Sequence, residues 1–166
     1  MENEPLEIER KFLIRMPEEA RLLRESARHI DITQTYLLTH GDGESRRLRR
    51  SRMAEGEKLY FTEKQRLSDL TRIEREREIE SAEYEALLRE ADPRCRVIEK
   101  RRWCVPYAGH TLEIDVFPFW QDKAFCEVEM RSEDESVSLP EWIEVLREVT
   151  SDRRYTNRAL AQELPE

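Results

Sequence analysis

Glycine is scarce in this sequence, and the few glycines do not form a phosphate-binding loop. Among 166 residues there are four, Gly41, Gly43, Gly56 and Gly109. Neither a GxxxxGK[ST] stretch nor a GxGxxG stretch is present. The backbone cradles of nucleotide-binding loops are therefore excluded. Any phosphate site in this protein must be built from side chains.

Cysteine and histidine are also few. The three cysteines, Cys95, Cys104 and Cys126, form no CxxC pair and leave an odd number. Neither a disulfide framework nor a zinc–thiolate site is predicted from them, and we interpret them as reduced core residues. The three histidines fall at the ends of predicted elements, where turn and surface residues are common.

Long apolar runs and an excess of positive charge are absent as well. No window has the apolar length that spans a bilayer, and the N-terminus lacks the regions of a secretory signal. The net charge of −8 argues against a general affinity for duplex nucleic acid. We therefore expect a cytoplasmic protein with no membrane or stable nucleic-acid partner, and leave a homodimer open.

Charge of both signs is abundant. Charged residues make up 40% of the sequence, against about 25% in average proteins. Apolar residues nevertheless recur at regular spacing throughout, so disorder is not expected. The length suits one domain over residues 1–166.

The first predicted strand, residues 6–14, carries its charges two residues apart. Glu7, Glu9 and Lys11 share one face of an extended strand, while Ile8 and Phe12 share the other. The same spacing recurs at Arg47 and Arg49, Lys100 and Arg102, Glu113 and Asp115, and Glu127 and Glu129. Strands of acidic and basic kinds would suit a site for a metal-bound polyanion.

The remaining pattern predicts an antiparallel sheet with helices. We predict seven further strands, at 32–39, 45–52, 57–64, 71–79, 96–106, 110–117 and 124–131. Hairpin turns are predicted at Gly41–Asp42–Gly43 and at 54–57. Helices are predicted after Pro17, with an apolar stripe of Leu22, Leu23, Ala27 and Ile30, at 81–88, and in two segments after Pro140.

These elements predict an α+β fold. Eight antiparallel strands with short hairpins favour a closed barrel, because closure removes unpaired edges. An apolar lumen with charges outside would leave the amphipathic helices without a partner surface. We therefore predict a closed eight-stranded antiparallel β-barrel with a charged lumen, clad by helices.

The charged strands supply candidate ligands for phosphate and for metal. The candidate cations are Lys11, Arg47, Arg49, Lys64, Arg72, Lys100 and Arg102. Glu7, Glu9, Glu127 and Glu129 are the candidate metal ligands, and oxygen ligands of this kind suit Mg²⁺ or Mn²⁺. Arg46 and Arg50 are the alternative to Arg47 and Arg49, although an outward Leu48 favours the latter. Whether Glu74 and Glu76 face the site is left open.

The ordered motifs resemble a known family. Glu7-Ile8-Glu9-Arg10-Lys11 matches the ExExK signature of the CYTH, or triphosphate tunnel metalloenzyme, superfamily. Later matches in order include Gln34-Thr35-Tyr36-Leu37, Arg47-Leu48-Arg49, Thr62-Glu63-Lys64, Arg72-Ile73-Glu74-Arg75-Glu76, Lys100-Arg101-Arg102, Glu113-Ile114-Asp115, Glu127-Val128-Glu129 and the tail motif 152–157. The resemblance covers nearly the whole chain.

The resemblance implies a metal-dependent triphosphatase with an eight-stranded tunnel. Glu7, Glu9, Glu127 and Glu129 would hold metal and, with Lys11, form the catalytic set, while the cations would grip a small-molecule triphosphate. Asp115 is placed with the metal ligands, but for Asp115 and Glu113 three roles are open: ligating a second metal ion, orienting cations, or activating water.

Hydrolysis of inorganic triphosphate is the expected function. Within the same family, a class IV adenylate cyclase would need a nucleoside pocket, and a thiamine triphosphatase would need an aromatic surface, for which Trp120 is the candidate. A polyphosphate- or nucleotide-binding module without catalysis is the alternative from another class. The many carboxylates argue against it.

Overall fold

The computed structural model of the protein describes residues 5–41 and 44–164. Nine strands occur in these residues: β1 (Leu6–Arg15), β2 (Arg28–Tyr36), β3 (Glu44–Met53), β4 (Gly56–Arg66), β5 (Thr71–Glu78), β6 (Ile98–Tyr107), β7 (His110–Val116), β8 (Lys123–Glu129) and β9 (Val145–Glu148). The α-helices are α1 (Glu19–Glu25), α2 (Ser81–Leu87) and α3 (Asn157–Gln162), and 3-10 turns cover Leu88–Glu90 and Arg153–Tyr155. Within the described residues, no helix has the length and apolar character needed to cross a membrane.

Eight of the strands close into a barrel. Their order around the barrel is β1-β5-β4-β3-β2-β6-β7-β8, after which β8 pairs with β1 again, and every pairing is antiparallel. The β1–β5 seam is short, from Leu6 opposite Ile73 to Ile8 opposite Thr71. Farther along the same edge of β1, β9 takes over as the partner. The predicted closed antiparallel barrel is confirmed, and β9 is an addition to it.

The apolar faces of the strands point outward and are covered by helices. Phe12 and Ile14 of β1 belong to a buried cluster that also contains Leu22 of α1. On another side, Leu48 of β3 lies in a cluster with Tyr84 of α2. Because neighbouring residues of a strand alternate between faces, this arrangement turns the charged residues into the lumen.

One part of the lumen is apolar. Leu13 follows Lys11 on the same face of β1 and lies opposite Phe125 of β8. Both belong to a buried cluster with Phe117, Trp120 and, from the tail, Tyr155 and Leu160. The charged cavity is therefore bounded on this side by a layer that excludes water.

The first helix is shorter than predicted. It ends at Glu25, and β2 begins at Arg28, so Ala27 and Ile30 do not belong to the helical stripe. The Ala27 N–H donates to the Cys104 carbonyl of β6, at 2.8 Å, and Ile30 lies opposite Arg102. Pairing with β6 satisfies the backbone of this segment, and it outweighs the apolar spacing that favours a helix.

The prediction of a helix directly after Pro140 is wrong. Residues 145–148 form β9 on the edge of β1. The Arg15 N–H donates to the Glu144 carbonyl at 3.0 Å, and the Val149 N–H donates to the Lys11 carbonyl at 2.8 Å. The free edge of β1 supplies backbone partners that the sequence pattern does not reveal. The second predicted segment is helical only at Asn157–Gln162.

Hairpin turns join most neighbouring strands. Between β6 and β7, Ala108 has φ of +49° and Gly109 has φ of +81°, as a tight hairpin with two left-handed residues requires. Gly56, in the predicted turn at 54–57, also has positive φ. The predicted turn at Gly41–Asp42–Gly43 involves residues 42–43, which lie outside the described residues.

Two adjacent leucines of α1 test the packing. Leu22 is 2% exposed in the cluster under the helix, whereas Leu23 is 61% exposed. We expect Leu22→Ala to lower the free energy of unfolding by about 2–4 kcal/mol, because it leaves a cavity, and Leu23→Ala by less than about 0.5 kcal/mol. Urea denaturation of both variants measures this difference. Equal losses would contradict the described orientation of α1.

Candidate functional site

The lumen contains a cavity of about 1080 Å³ with a strongly charged wall. Among its described lining residues, ten are Lys or Arg and nine are Asp or Glu. The predicted site residues that line it are Glu7, Glu9, Lys11, Arg47, Arg49, Lys64, Arg72, Arg102, Glu127 and Glu129. The near balance of the two signs means that this wall would attract a polyanion most strongly together with cations.

The pleat of β1 delivers three charges to this wall. Glu7, Glu9 and Lys11 line the cavity, whereas the intervening Arg10 pairs with Glu148 of β9 outside the barrel. The Lys11 ammonium is held from several directions. It lies 3.3 Å from a Glu127 oxygen, donates to the Tyr155 carbonyl at 2.9 Å and lies 4.2 Å from the centre of the Phe125 ring.

β3 sorts its four arginines by the same alternation. Arg47 and Arg49 line the cavity. Arg46 instead forms an ion pair with Glu90 at 3.1 Å, and Arg50 one with Glu57 at 3.3 Å, outside the lumen. Leu48 is fully buried in the cluster under α2. The outward position of Leu48 thus sets which pair of arginines faces inward.

Crowding of these cations has an electrostatic consequence. Burial, followed by the neighbouring charges of Arg47 and Arg102, lowers the pKa of Arg49 to about 10. Arg49 Nη2 donates to the side-chain oxygen of Gln34 at 2.8 Å when the Gln34 amide is oriented with its oxygen toward Arg49. The guanidinium groups therefore repel each other, and a bound anion would relieve that repulsion.

Two of the inner carboxylates lie beside cations from other strands of the barrel. Glu7 approaches Lys64 of β4 at 2.9 Å, and Glu9 accepts a hydrogen bond from Arg72 of β5 at 3.0 Å. Within residues 5–41 and 44–164, no three Asp, Glu, His or Cys side chains are arranged as a ready metal site. In this arrangement the carboxylates have cationic side chains as partners.

Three of the carboxylates nevertheless crowd together. Burial, followed by the charges of Glu127 and Glu7, raises the pKa of Glu9 to about 8. One Glu7 oxygen, Oε2, is buried and has no hydrogen-bond partner of acceptable geometry, although Lys64 is near. Carboxylate oxygens in such a group suit a hard divalent cation, whose charge would replace the missing compensation. The donor set thus fits a divalent metal ion.

Two of the predicted site residues, Lys100 and Asp115, are not among the described lining residues of the cavity. Their side chains are both completely buried, and Lys100 Nζ donates to Asp115 Oδ2 at 2.8 Å. Asp115 also accepts from Arg102. In this arrangement Asp115 has two basic side chains as partners, and the Lys100 ammonium is enclosed. Burial lowers the pKa of Lys100 to about 7 despite its neighbour.

The acidic residues with open roles do face the cavity. Glu74, Glu76 and Glu113 are all in its wall. Glu113 lies 2.6 Å from Arg102 Nη1, and Glu76 accepts from Thr62 Oγ1 at 2.7 Å. The alternating charges of β5 thus contribute one face to the site.

Four basic residues at the cavity were not predicted: Arg66, Arg94, Arg153 and Arg158. The buried Asp92 accepts two hydrogen bonds from Arg94, at 3.0 and 2.9 Å, and one from Arg158 at 3.4 Å. Hydrogen bonds from Arg94 lower the pKa of Asp92 to about 2. Arg66 is the last residue of β4, whereas Arg94, Arg153 and Arg158 lie outside the barrel strands, where strand alternation predicts no direction. Only the tail motif could have drawn attention to Arg153.

Comparison with known proteins places this arrangement in a family. The profile of the CYTH domain matches residues 5–156. An inorganic triphosphatase from Nitrosomonas europaea is 33% identical over 163 residues, which cover 96% of this chain and 99% of that protein.

Solved structures agree in fold. A crystal structure of an inorganic triphosphatase is 30% identical, with a TM-score of 0.60, over 100% of this chain and 99% of that one. A conserved hypothetical protein from Pyrococcus furiosus is 24% identical, with a TM-score of 0.59, over 77% of this chain and 80% of that one. At this identity, the similarity to the Pyrococcus furiosus protein supports only a shared fold.

The raised pKa of Glu9 predicts a pH-dependent stability. Folded Glu9 keeps its proton up to about pH 8, whereas an ordinary glutamate loses it near 4.5. The folded state thus binds more protons between these values, and its free energy of unfolding falls as pH rises, by up to about 1.4 kcal/mol per pH unit. Glu9→Gln lacks this loss. Urea denaturation from pH 5 to 8 should show the variant gaining stability relative to the wild type. Parallel pH profiles would contradict the crowding.

Proposed function

Since this chain belongs to the CYTH domain family, we propose that it hydrolyses inorganic triphosphate to pyrophosphate and phosphate in the barrel cavity. The observation that carries this proposal is the cavity wall, in which basic and acidic side chains from many strands face the same space. The name of the Nitrosomonas europaea relative supports the choice of substrate.

Side chains would bind the phosphate groups. Lys11, Arg47, Arg49, Lys64, Arg72 and Arg102 line the cavity. Arginine forks match pairs of phosphate oxygens, and lysine supplies compact point charges. Held from several strands at once, a triphosphate would lose its freedom to turn, which brings its terminal phosphate into a fixed position for attack.

Glu7, Glu9, Glu127 and Glu129 would hold a divalent metal ion, Mg²⁺ or Mn²⁺. Such an ion, when bound, neutralises and orients phosphate oxygens. The nine carboxylates in the described wall support its involvement, because without added positive charge they would repel a triphosphate. Burial and the charges of Glu127 and Glu7 raise the pKa of Glu9 although Arg72 is close, and a divalent ion would add positive charge beside the ionised carboxylate.

The chemical step follows from these positions. A water molecule attacks the terminal phosphorus in line with its bond to the leaving pyrophosphate. Negative charge grows on the bridging oxygen as this bond breaks. Lysine and arginine side chains that are already in place stabilise this charge without reorganising, which is the main source of catalysis in sites of this kind.

The described wall offers little to an organic group. Among its described lining residues, the only ring side chains are Tyr36 and the imidazole of His40. Trp120, the candidate surface for thiamine, is 7% exposed within the apolar cluster at the end of the lumen and does not line the cavity. These positions favour inorganic triphosphate over a nucleotide or thiamine triphosphate. They give a cyclase no evident site for its base.

A cytoplasmic location agrees with the cysteines. Cys95, Cys104 and Cys126 are all free thiols, and Cys104 and Cys126 are buried. Unpaired cysteines are usual in a reducing compartment.

Substrate preference provides a direct test. We expect phosphate release from tripolyphosphate with Mg²⁺ or Mn²⁺, slower release from ATP and thiamine triphosphate, and none with chelator. All three substrates are compared side by side by a phosphate assay. Faster turnover of ATP with a cyclic nucleotide product would assign a cyclase instead, and activity in chelator would contradict the role of metal.

Two neighbouring arginines test the direction of β3. Arg47→Ala removes a cation from the cavity, and we expect KM for tripolyphosphate to rise about tenfold or more, as loss of a charge-assisted contact costs about 1.5–3 kcal/mol. Arg46→Ala, the matched control outside the barrel, should leave KM within about twofold. Steady-state kinetics decides between them. A larger effect of Arg46→Ala would contradict the proposed binding wall.

A further inference from the structure

We propose that Gln34 is a positioning residue for Arg49, and that its neutral amide holds the guanidinium without cancelling the positive charge offered to phosphate. This inference rests on the proposed function, in which Arg49 binds the substrate. It gives a role to a completely buried polar side chain that the charge pattern of the strands does not explain.

The strand register places Gln34 beside Arg49. The two residues lie directly opposite each other on β2 and β3, so their side chains share the inner face of the barrel. Gln34 is completely buried, whereas Arg49 lines the cavity. On its other side Gln34 lies opposite Ile98 of β6, which belongs to the apolar cluster at the end of the lumen. The amide therefore lies between the guanidinium and the apolar layer.

The donors of Arg49 determine the orientation of this amide. With the nitrogen of Gln34 toward the guanidinium, N–H groups would face N–H groups. With the oxygen toward it, that oxygen accepts from Arg49 Nη2 at 2.8 Å and from Nε at 3.2 Å. The amide nitrogen then takes the position that faces the hydroxyl of Tyr36, which can accept from it. One oxygen of Gln34 thus holds a whole edge of the guanidinium.

This contact leaves the opposite edge of Arg49 for phosphate. A guanidinium has five N–H donors, and Gln34 uses two of them. The remaining three belong to Nη1 and Nη2, the pair of nitrogens that can bind two phosphate oxygens at once. A long side chain already held by its Nε edge loses few further conformations when the substrate binds. The bond to Gln34 therefore prepares Arg49 for the anion.

The neutrality of the partner matters because the site attracts phosphate by its positive charge. Arg72, another arginine of the cavity wall, pairs with the carboxylate of Glu9 at 3.0 Å. A carboxylate partner cancels much of a buried positive charge. Gln34 supplies an acceptor oxygen without a negative charge. Burial and neighbouring cations lower the pKa of Arg49 to about 10, and carboxylates offset this only in part.

Gln65 of β4 provides a matched control on the outer surface. It is exposed and points out of the barrel, because it follows Lys64, which lines the cavity. Substitution of Gln65 by Met or by Glu makes the same chemical change as at Gln34 without touching the lumen.

The first test observes Arg49 directly, in full-length protein without ligand at pH 6.5. A hydrogen-bonded Nε–H exchanges slowly with water and gives its own cross-peak in a nitrogen–proton correlation spectrum, and loss of the peak in Arg49→Lys identifies it. We expect this cross-peak in the wild type and in Gln34→Glu, which keeps the oxygen, and its loss in Gln34→Met. A peak that persists in Gln34→Met would overturn the positioning role. So would a wild-type Nε–H that exchanges as fast as that of the exposed Arg24, even if the variants fail to fold.

The second test measures the affinity for tripolyphosphate with Ca²⁺ by calorimetry. Gln34→Met should weaken binding about three- to tenfold, as expected for lost hydrogen bonds, and raise KM more than it lowers kcat. In an Arg49→Ala background the same change should alter the affinity less than about twofold, and Gln65→Met should do so in the wild type. A direct contact of Gln34 with phosphate would keep its effect without Arg49, so equal effects in the two backgrounds would overturn the proposal.

Gln34→Glu tests the charge separately, because it keeps an oxygen beside Arg49 and adds a negative charge. It should weaken tripolyphosphate binding about tenfold or more while the Arg49 Nε–H cross-peak remains. Gln65→Glu should leave the affinity within about twofold. Wild-type affinity in Gln34→Glu would overturn the charge argument.

The outcomes separate this inference from the function on which it rests. Tripolyphosphate that binds without being hydrolysed would contradict the proposed hydrolysis, and the affinities would still decide the role of Gln34. Turnover by the wild type, with affinities unchanged in both Gln34 variants, would keep the hydrolysis and overturn this inference.

Discussion

The structure depends on one constraint: charged side chains alternate with apolar ones along strands that close on themselves. The apolar faces find helices on the outside, as with Leu48 under α2, and the charged faces then have only the lumen. Taking so many charges out of water is costly unless each meets an opposite charge. The pairs Glu7–Lys64 and Glu9–Arg72, each between different strands, provide part of this compensation.

The pairing of opposite charges in the lumen is incomplete, and the uncompensated charges are the ones that ligands can bind. Arg49 carries a lowered pKa beside other cations, and Glu9 carries a raised one beside other carboxylates. Like charges thus remain crowded in both kinds of group. A bound polyanion would reduce the repulsion among the arginines, and a bound divalent cation would reduce the repulsion among the carboxylates, so the two ligands together improve the electrostatics of the lumen. This is the physical reason to connect the fold with a metal-dependent triphosphatase.

Alternation allowed the barrel, its charged lumen and the inward direction of Arg47 to be predicted, because a period of two decides which face a residue occupies. Alternation does not predict how far along the lumen an inward-facing residue lies. Asp115 and Arg102 both face inward, yet only Arg102 reaches the cavity, since the apolar layer around Phe125 covers the other. Alternation also says nothing about partners far along the chain, which is why β9 was predicted as helix and Arg158 was not predicted at all.

The central claim is that the inward charges converge on a site for triphosphate. Thermal unfolding measures this most directly, in tripolyphosphate with Ca²⁺ against an equal concentration of sulfate with Ca²⁺. Ligand at a hundred times its dissociation constant adds about 2.7 kcal/mol by mass action, which raises the melting temperature of a domain of this size by several degrees. The account predicts this shift for tripolyphosphate and a much smaller one for sulfate. Equal shifts would contradict it.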